Sequence, residues 1–322
     1  MRTLILSTFI LLASTATAQC NGFEPLCSKK YNEVAYLTTH NAYCNEDEGF
    51  DFPNQYNSIT QQLEDGVRAL MLDVYNEAGV ATVYHGITVF GSKPLTENLT
   101  DIKDFLDANP NEIVTIIFEC YVTVDLIESD LTSTGLMPYL FEKGTGDWPT
   151  LQEMIDDGTR LVIFTDCEDA GLDQGWYHHV WTHAVETNFE YNDVSEFDCV
   201  FNRGDASNDL FIVNHFVTDA SLGIGVESHA AIANANPFFI DRCEDCETIT
   251  GKFPNFPTID FYNIGDGFAV VNKLNDLGDL GSPESSFDVK LWPNPVENNL
   301  QISTTTGELV SYRLNDLSGK EI

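Results

Sequence analysis

Apolar residues in this chain gather into short, nearly uninterrupted runs that alternate with amphipathic segments. The runs predict β-strands at 34–39, 67–74, 81–85, 112–119, 159–165, 210–215 and 256–262. Between several of them, apolar positions at helical spacing predict helices at Ile59 to Glu64, Glu97 to Ala108, Leu151 to Asp157, His179 to Phe189, Glu227 to Ala235 and Phe268 to Leu274. Nearly continuous apolar strands such as Ile113 to Phe118 are typical of parallel sheets covered by helices on both faces.

About 260 residues of this alternation predict an α/β fold, a distorted TIM (β/α) barrel. The pattern provides seven strands rather than eight, so either the eighth lies within 196–202 or one side of the barrel is irregular. After Leu280 the pattern changes. Residues 281–288 have the composition of a linker, and 289–322 contain short alternating strands that predict a small C-terminal β module.

The first 18 residues have the pattern of a secretory signal peptide. Arg2 supplies a positive start, an apolar run extends from Leu4 to Ala13, and Ala16-Thr17-Ala18 resembles a cleavage site. The barrel would then occupy 19–280 of a protein that is secreted or held at the cell surface. No later stretch approaches the ~18 continuous apolar residues that a membrane-spanning helix needs.

Eight cysteines in an exported chain favour structural disulfides. Cys20 and Cys27 are close enough in sequence to clip the N-terminus together. Cys243 and Cys246 form a CxxC, which is also a zinc-binding pattern, but the sequence has no second such pair to complete a zinc site. Structural disulfides are therefore the favoured interpretation, and their connectivity stays open.

The charge balance restricts the partners of the protein. Lys and Arg number 15 against 51 Asp and Glu, a formal net charge of −36. Such a chain is repelled by phosphate backbones, which argues against nucleic acid as a partner. If the substrate carries a phosphate, the site needs either a cluster of the few Lys and Arg or a bound metal ion.

Polar residues that could carry chemistry fall where the predicted strands end, and the active sites of β/α barrels collect at that carboxyl-terminal rim. The strand ends carry His40, Asn41, Asp73, His85, Glu119 and Asp260. Each has an ordinary explanation alone, such as a hydrogen-bonded structural His or a helix-capping Asp. Together, two imidazoles suit general acid–base catalysis. The oxygen donors Asn41, Asp73 and Glu119 suit a hard cation such as Ca²⁺.

The ordered motifs THNAY, QLEDGVRALMLDVY, VYHG, IVTIIFE and PNFPTIDFYNIGD span 38–266. This set resembles the X domain of phosphatidylinositol-specific phospholipases C. The resemblance implies a distorted β/α barrel that cleaves a phosphodiester with two histidines, often through a cyclic phosphate made by the substrate's own hydroxyl. His40 and His85 match the catalytic pair, with His85 protonating the leaving alcohol and His40 acting near the attacking hydroxyl and stabilising the phosphorane. Asp260 matches the carboxylate that orients a catalytic His.

The same resemblance implies Ca²⁺ as cofactor. The metal-independent branch of the family has Arg where this chain has Asp73, whereas the calcium-dependent branch has Asp there. That branch also has an Asn after the first His and a Glu ending the fourth strand, which match Asn41 and Glu119. The chain departs from the branch at Met71, where a Glu is usual. Water or a loop carboxylate, Glu77 or Glu46, is the expected replacement.

Other candidates carry weaker signals. For Trp148, Asp166 and His215 the favoured interpretation is packing or rim structure. Lys93 follows His85 closely and suits a phosphate contact and an ordinary solvated side chain equally well. Candidates for headgroup recognition are Trp176, Tyr177 and Arg203, with loop packing favoured.

The tail LWPNPVENNLQIS to LNDLSGKEI resembles part of the C-terminal sorting module of type IX secretion, which makes that machinery an expected partner of 289–322. The predicted function is thus a secreted phosphodiesterase whose favoured substrate is a phospholipid or its headgroup, with peripheral membrane contact. Two alternatives stay open. Glycerophosphodiester phosphodiesterases use a related barrel, but their His-Arg-Gly and Glu-x-Asp patterns are replaced here by His40-Asn41-Ala42 and Met71-Leu72-Asp73. A catalytically weak surface-binding protein is the other alternative, which Met71 favours and the two histidines oppose.

Overall fold

A computed structural model describes residues 19–170, 174–219 and 224–278, and the backbone of 289–292 and 301–304. The strands are β1 Thr38–Thr39, β2 Ala69–Glu77, β3 Val80–Val83, β4 Lys93–Pro94, β5 Val114–Tyr121, β6 Leu161–Thr165, β7 Tyr177–His179, β8 Ala184–Thr187, β9 Phe201–Gly204, β10 Leu210–Asn214, β11 Thr218–Asp219, β12 Ile224–Gly225, β13 Phe256–Ile259, β14 Val289–Trp292 and β15 Gln301–Thr304. The α-helices are α1 Ile59–Asp65, α2 Leu95–Ala108, α3 Val124–Thr134, α4 Leu151–Asp157, α5 Val180–His183, α6 Glu227–Ala233, α7 Phe238–Thr250 and α8 Gly267–Leu274. The predicted signal peptide at 1–18 lies outside the described residues.

The central sheet curls into an open barrel. Its strands follow the order β7-β6-β5-β2-β1-β13-β10-β8-β9, and every neighbouring pair from β7 to β8 is parallel. Only β9 at the end of this path runs antiparallel to its neighbour, β8. In the part of the chain that the structure describes, the edges β7 and β9 do not pair, so the barrel does not close. The α/β class and the distorted TIM barrel are confirmed.

Strand β2 shows how the sheet divides its side chains between two cores. Leu70, Leu72 and Val74 are fully buried and join the cluster that contains the helical residues Leu99 and Ile102. Ala69 and Met71 join a second cluster, which contains Ile117, Phe164 and Ile212 from the other, inner face of the sheet. Because side chains alternate between the two faces of a strand, Asp73 shares the inner face with Met71. The pattern of β2 thus delivers a carboxylate to the barrel interior at its rim.

The third predicted strand is not a barrel strand. β3 runs antiparallel to β2, with Val74 opposite Val83 and Glu77 opposite Val80. Positive φ values at Ala78 and Gly79 close the turn between the two strands. Strand β2 therefore overshoots the rim, and β3 brings the chain back toward it, so that His85 follows a return strand instead of ending a parallel one.

The prediction for 179–189 was also wrong. The helix predicted there is the single turn α5, and the strand β8 follows it directly. Strand β8 and the unpredicted β7 both belong to the parallel set, while 196–202 contributes only the start of the antiparallel edge strand β9. Two helices, α3 and α7, were not predicted.

Disulfides join Cys20 to Cys27, Cys120 to Cys167 and Cys199 to Cys246. The preference for structural disulfides is confirmed, including the N-terminal clip. The CxxC forms neither an internal bridge nor a metal pair, because Cys246 bonds Cys199 while Cys243 is a buried free thiol in the described structure.

The chain divides into two compact units, Met1–Leu280 and Gly281–Ile322. In the second unit, β14 and β15 pair antiparallel, with Val289 opposite Thr304 and Trp292 opposite Gln301. The domain boundaries and the sorting module remain predictions. None of the described helices is both long and apolar enough to cross a membrane.

Candidate active site

His40 directly follows β1, and one contact of its backbone and two of its imidazole ring hold it in place. Its backbone N–H donates to the carbonyl of Ile259 on β13 (3.0 Å). Its Nδ1 lies 2.9 Å from Oδ1 of Asp260, and its ring stacks on Phe216 with centroids 3.8 Å apart. Because a carboxylate accepts hydrogen bonds, Nδ1 is the protonated nitrogen, which leaves Nε2 for a substrate.

The charge state of His40 follows from two opposed effects. Burial acts to lower its pKa, but the charge and hydrogen bond of Asp260, with smaller effects of Asp73 and Glu119, outweigh burial and raise it. The acidic rim therefore favours the imidazolium form. A positive charge held in this way can face a phosphate.

Asp260 is itself held in place. It follows β13, is buried, and accepts a second hydrogen bond on Oδ1 from Asn54 Nδ2 (3.2 Å). On its other side lies Gly225, where an added Cβ would stand only 2.6 Å from Oδ2 of Asp260 and 3.0 Å from Asn54. The orientation of His40 thus depends on an Asp that is packed against a glycine without room for a side chain.

Replacing Gly225 with alanine should displace the Asp260 carboxylate and reduce kcat/KM by about ten- to a hundredfold, since a shift of about 1 Å costs catalysis on this order. Gly144, where an added Cβ meets nothing within 4 Å, provides the control substitution Gly144→Ala. Thermal unfolding and turnover of both variants would be measured. Full activity in a folded Gly225→Ala protein would show that the Asp260–His40 contact is dispensable.

His85 comes to the same rim from β3 and is half-buried. Burial lowers its pKa, and the positive charge of His40 lowers it further, so the two imidazoles interact electrostatically. His85 lines a groove whose other walls are mostly apolar: Phe50, Phe52, Ile87, Phe90 and Ile224. His40 lines a separate, more polar cavity. His85 therefore lies beside an apolar groove, and the charge of His40 in the polar cavity lowers its pKa.

Two carboxylates lie side by side in that cavity. Asp73 on β2 is opposite Glu119 on β5 in the sheet register, and both line the cavity with His40. Tyr43 donates its hydroxyl to Asp73 Oδ2 (3.0 Å). Burial, and then the charge of Glu119, raises the pKa of Asp73 to about 7. The described structure pairs neither carboxylate with a Lys or Arg.

Asn41, the third predicted oxygen donor, directly follows His40 and does not line the cavity. Its backbone has a positive φ of 46°, which Asn tolerates better than most residues, and its Nδ2 donates to Asn54 Oδ1. Its Oδ1 is buried and has no hydrogen-bond partner among the described residues. A buried acceptor without a donor costs free energy unless a further group binds it. Asn41 and the Asp73–Glu119 pair fit a hard cation, although no group of three His, Cys, Asp or Glu in the described residues is arranged as a metal site.

The expected replacements for the missing Glu do not reach the cavity. Met71 lines it, whereas Glu46 lines a different groove and Glu77 accepts a hydrogen bond from Tyr84. The additional carboxylates there are Asp166 and Glu186, and for Asp166 packing or rim structure was the favoured interpretation. The position of Asp166 directly after β6 was the available signal, since Asp260 also follows its strand directly, while Asp73 and Glu119 lie within β2 and β5.

Most of the weaker candidates have structural roles. Trp148 stacks on Tyr31 and donates to Asp209, and His215 is buried with Nε2 at Ala233 O (2.7 Å). Lys93 pairs with Glu48. Trp176 and Tyr177 are buried and do not line the cavity. Arg203 does line it, together with Trp181, Glu186 and Phe189. These last three were not predicted as site residues, because the segment that contains them was predicted to be a helix.

The carboxyl rim of this parallel barrel thus presents the His40–Asp260 pair, a second imidazole and an acidic pair. Residues 26–275 match the PI-PLC X family (PI-PLC X 1), and the chain belongs to this family. A PI-PLC X domain-containing protein of Arabidopsis thaliana is 31% identical over 294 residues, which cover 82% of this chain and 65% of that protein. PI-PLC X domain-containing protein 1 of Arthroderma benhamiae is 27% identical over 298 residues, covering 85% and 95%. This chain therefore spans just under two thirds of the Arabidopsis protein's length.

The fold is also found in a solved structure. The phosphatidylinositol-specific phospholipase C of Listeria monocytogenes superposes with a TM-score of 0.54 at 16% identity, covering 81% of this chain and 98% of that one. At this identity the likeness shows the fold, and the residues of the site are argued from their own geometry.

Proposed function

We propose that this protein is a secreted phosphoric diester hydrolase or lyase that cleaves its substrate by two-histidine general acid–base catalysis. The observation that carries the proposal is the His40–Asp260 pair at the barrel rim, electrostatically coupled to His85. Membership of the PI-PLC X family and the phospholipase C fold support this reaction class.

In the proposed reaction, a hydroxyl attacks phosphorus while the bond to the leaving alcohol breaks. His85 gives a proton to that alcohol, and the neutral form of His40 accepts the proton of the attacking hydroxyl on Nε2. The raised pKa of His40 favours an imidazolium that stabilises the charge of the phosphorane. Asp260 holds the His40 ring in one tautomer and one orientation throughout. An attacking hydroxyl on the substrate would produce a cyclic phosphate, which water can open in a second step.

The apolar groove beside His85 supports a lipid as the leaving alcohol. Phe52 and Ile87, which line it, are 47% and 53% exposed, so apolar surface is available next to the proposed acid. A diacylglycerol leaving through this groove would require peripheral contact with a membrane. The substrate class is therefore a phospholipid phosphodiester.

Calcium is part of the proposal. Asn41, Asp73 and Glu119 would hold it, because they offer a buried acceptor without a donor and a carboxylate pair that forms no ion pair with a Lys or Arg of the described residues. Bound Ca²⁺ would supply positive charge for the phosphate in a chain whose formal net charge is −36. Export through a signal peptide at 1–18 and type IX sorting through 289–322 complete the proposal, and release of a chain lacking 282–322 into the medium tests the sorting step.

The direct test is turnover on phosphatidylinositol vesicles, glycerophosphoinositol and glycerophosphocholine, each with calcium and with a chelator. Calcium-dependent release of diacylglycerol and phosphorylated inositol from the vesicles is expected. Cleavage confined to the glycerophosphodiesters would favour the glycerophosphodiesterase alternative. Binding to vesicles without turnover of any diester would favour the surface-binding protein, the alternative that Met71 in the cavity supports.

The pH dependence should reflect the lowered pKa of His85. Because catalysis needs His85 protonated and His40 neutral, kcat/KM at saturating calcium should be highest between the lowered pKa of His85 and the raised pKa of His40, and should fall with decreasing pH through a value below the ordinary 6.5 of histidine. A bound phosphate raises the pKa of a neighbouring imidazole, so the corresponding decrease in kcat should occur at a higher pH. Profiles of both constants check this, and a kcat/KM that still increases through pH 7 would contradict the assignment of His85 as the acid.

A further inference from the structure

Three carboxylates lie on neighbouring strands at the cavity that contains His40. Asp73 on β2 is opposite Glu119 on β5 in the sheet register, and Asp166 directly follows β6, the next strand of the sheet. All three line the cavity. Because like charges on adjacent strands repel each other, this arrangement disfavours the pairing of β5 with β6 at the rim.

The regular pairing of β5 with β6 ends just where this repulsion begins. The last paired residues of the two strands are Phe118 and Thr165. The residues that come next in the chain are the carboxylates Glu119 and Asp166. Beyond the last pair, the Asp166 N–H donates to the Phe118 carbonyl (3.2 Å), and the Cys120 N–H donates to Oδ1 of Asp166 (2.8 Å). The backbone therefore offers little further pairing to hold the two carboxylates together.

A disulfide joins the same two chain segments one residue further on. It connects Cys120, directly after Glu119, to Cys167, directly after Asp166. Side chains alternate between the faces of a strand, so Cys120 points away from the cavity that Glu119 lines. Both cysteines pack in the helix-covered core that contains Leu99. The covalent bond thus lies behind the carboxylates and ties together the strand ends that carry them.

The described structure provides no basic side chain that could compensate the two charges instead. Neither Glu119 nor Asp166 forms an ion pair with a Lys or Arg among the described residues. Arg203 lines the same cavity, but its Nε donates to Oε1 of Glu186. The disulfide is therefore the strongest constraint that the described residues place on the spacing of Glu119 and Asp166.

We propose that the Cys120–Cys167 disulfide is a positioning element of the active site, which holds the Glu119 and Asp166 carboxylates side by side against their mutual repulsion. A covalent bond suits this place because it keeps two like charges close without a basic neighbour, so Glu119 stays available to the calcium of the proposed reaction. The expected effect on turnover rests on the proposed phosphodiesterase function, whereas the expected effect on stability does not.

The test removes this bridge with Cys120→Ala/Cys167→Ala and the bridge outside the cavity with Cys199→Ala/Cys246→Ala. Both bridges span a sequence separation of 47 residues, so the loss of either gives the unfolded chain similar additional freedom. Each pair of substitutions is made in wild type and in Asp166→Asn, which removes the charge and keeps an acceptor for the Cys120 N–H.

Thermal unfolding at pH 8 with chelator measures the stability of these variants. The loss of Tm caused by Cys120→Ala/Cys167→Ala should be at least about 2 °C smaller in Asp166→Asn than in wild type, because the repulsion that the bridge opposes is absent there. The loss caused by Cys199→Ala/Cys246→Ala should be the same in both backgrounds.

Turnover of phosphatidylinositol should show the same dependence. Cys120→Ala/Cys167→Ala should reduce kcat/KM about ten- to a hundredfold, mainly through kcat, since a shift of about 1 Å in a catalytic group has an effect on this order. Cys199→Ala/Cys246→Ala should stay close to wild type. Asp166→Asn should make the loss caused by Cys120→Ala/Cys167→Ala smaller, whereas a bridge that only stabilises the fold would not respond to this charge.

Equal losses of Tm in the two backgrounds would overturn the inference, whatever the enzyme cleaves. A smaller loss in Asp166→Asn supports it even if no diester is cleaved, so its failure is distinguishable from that of the proposed function. If Cys120→Ala/Cys167→Ala does not fold, its combination with Asp166→Asn should fold, and a combination that stays unfolded would also overturn the inference.

Discussion

His40→Ala and His85→Ala are each expected to reduce kcat on phosphatidylinositol by about a hundred- to ten-thousand-fold, the usual contribution of a general acid or base. The two losses have different origins. His85→Ala removes the proton donor, so a substrate whose leaving group needs no proton, such as p-nitrophenolate, should recover much of the rate. His40→Ala removes the imidazolium that faces the phosphate, so the same substrate should recover little.

The matched control is His179→Ala, which removes a half-buried histidine that does not line the cavity. Its turnover should stay close to that of wild type. The double variant His40→Ala/His85→Ala should lose less than the product of the single losses, because residues that act as a unit are not additive. If thermal unfolding shows that both single variants are folded and both turn over phosphatidylinositol at the wild-type rate, two-histidine catalysis is excluded.

The rim residues could be predicted because strand periodicity and barrel topology determine where they lie. His40, Asp73, Glu119 and Asp260 each follow or end an apolar run, and parallel strands bring such positions to one edge. The inner-face position of Asp73 follows from its alternation with Met71. The sequence could not show that Asn54 links Asn41 to Asp260, or that Gly225 packs against Asp260, since these contacts depend on how the loops fold back over the rim.

The cavity wall formed by Trp181, Glu186 and Phe189 was not predicted, and the reason lies in the local sequence pattern. The segment His179 to Phe189 has apolar residues at spacings that suit a helix, whereas pairing with β10 makes 184–187 a strand. Burial in a sheet overrode the local preference, as tertiary context often does. That error concealed Glu186 and with it the support for Arg203. His85 was assigned to the end of a parallel barrel strand, whereas it follows the antiparallel strand β3, because only long-range pairing reveals that β3 turns back.

Asp73→Asn should have opposite effects on activity and on stability. The variant keeps the shape of the side chain and can still accept from Tyr43, but it loses the charge that a cation needs. We expect calcium-stimulated activity to fall by about a hundredfold or more, since metal ions contribute several kcal/mol to phosphoryl chemistry. Chelation of the wild-type enzyme should cause a loss of similar size.

In the metal-free protein the same substitution should increase stability. The pKa of Asp73 is about 7 in the folded protein against an ordinary 3.8, first through burial and then through the charge of Glu119. The folded state therefore holds the proton more tightly, and the stability of metal-free wild type should fall as pH rises from about 4 to about 7. At pH 8 with chelator, Asp73→Asn should melt at least about 2 °C above wild type, and at about pH 4 the difference should vanish.

Bound calcium should reverse the order of the melting temperatures of wild type and Asp73→Asn. A ligand that binds only the folded state raises Tm with its concentration, so calcium should stabilise wild type and have little effect on Asp73→Asn. Asp101→Asn is the control, because burial also raises the pKa of Asp101 but this residue does not line the cavity, and its calcium response and activity should match wild type. An Asp73→Asn protein with the wild-type calcium response would place the cation elsewhere. Wild-type activity that survives chelation would remove the cation from catalysis.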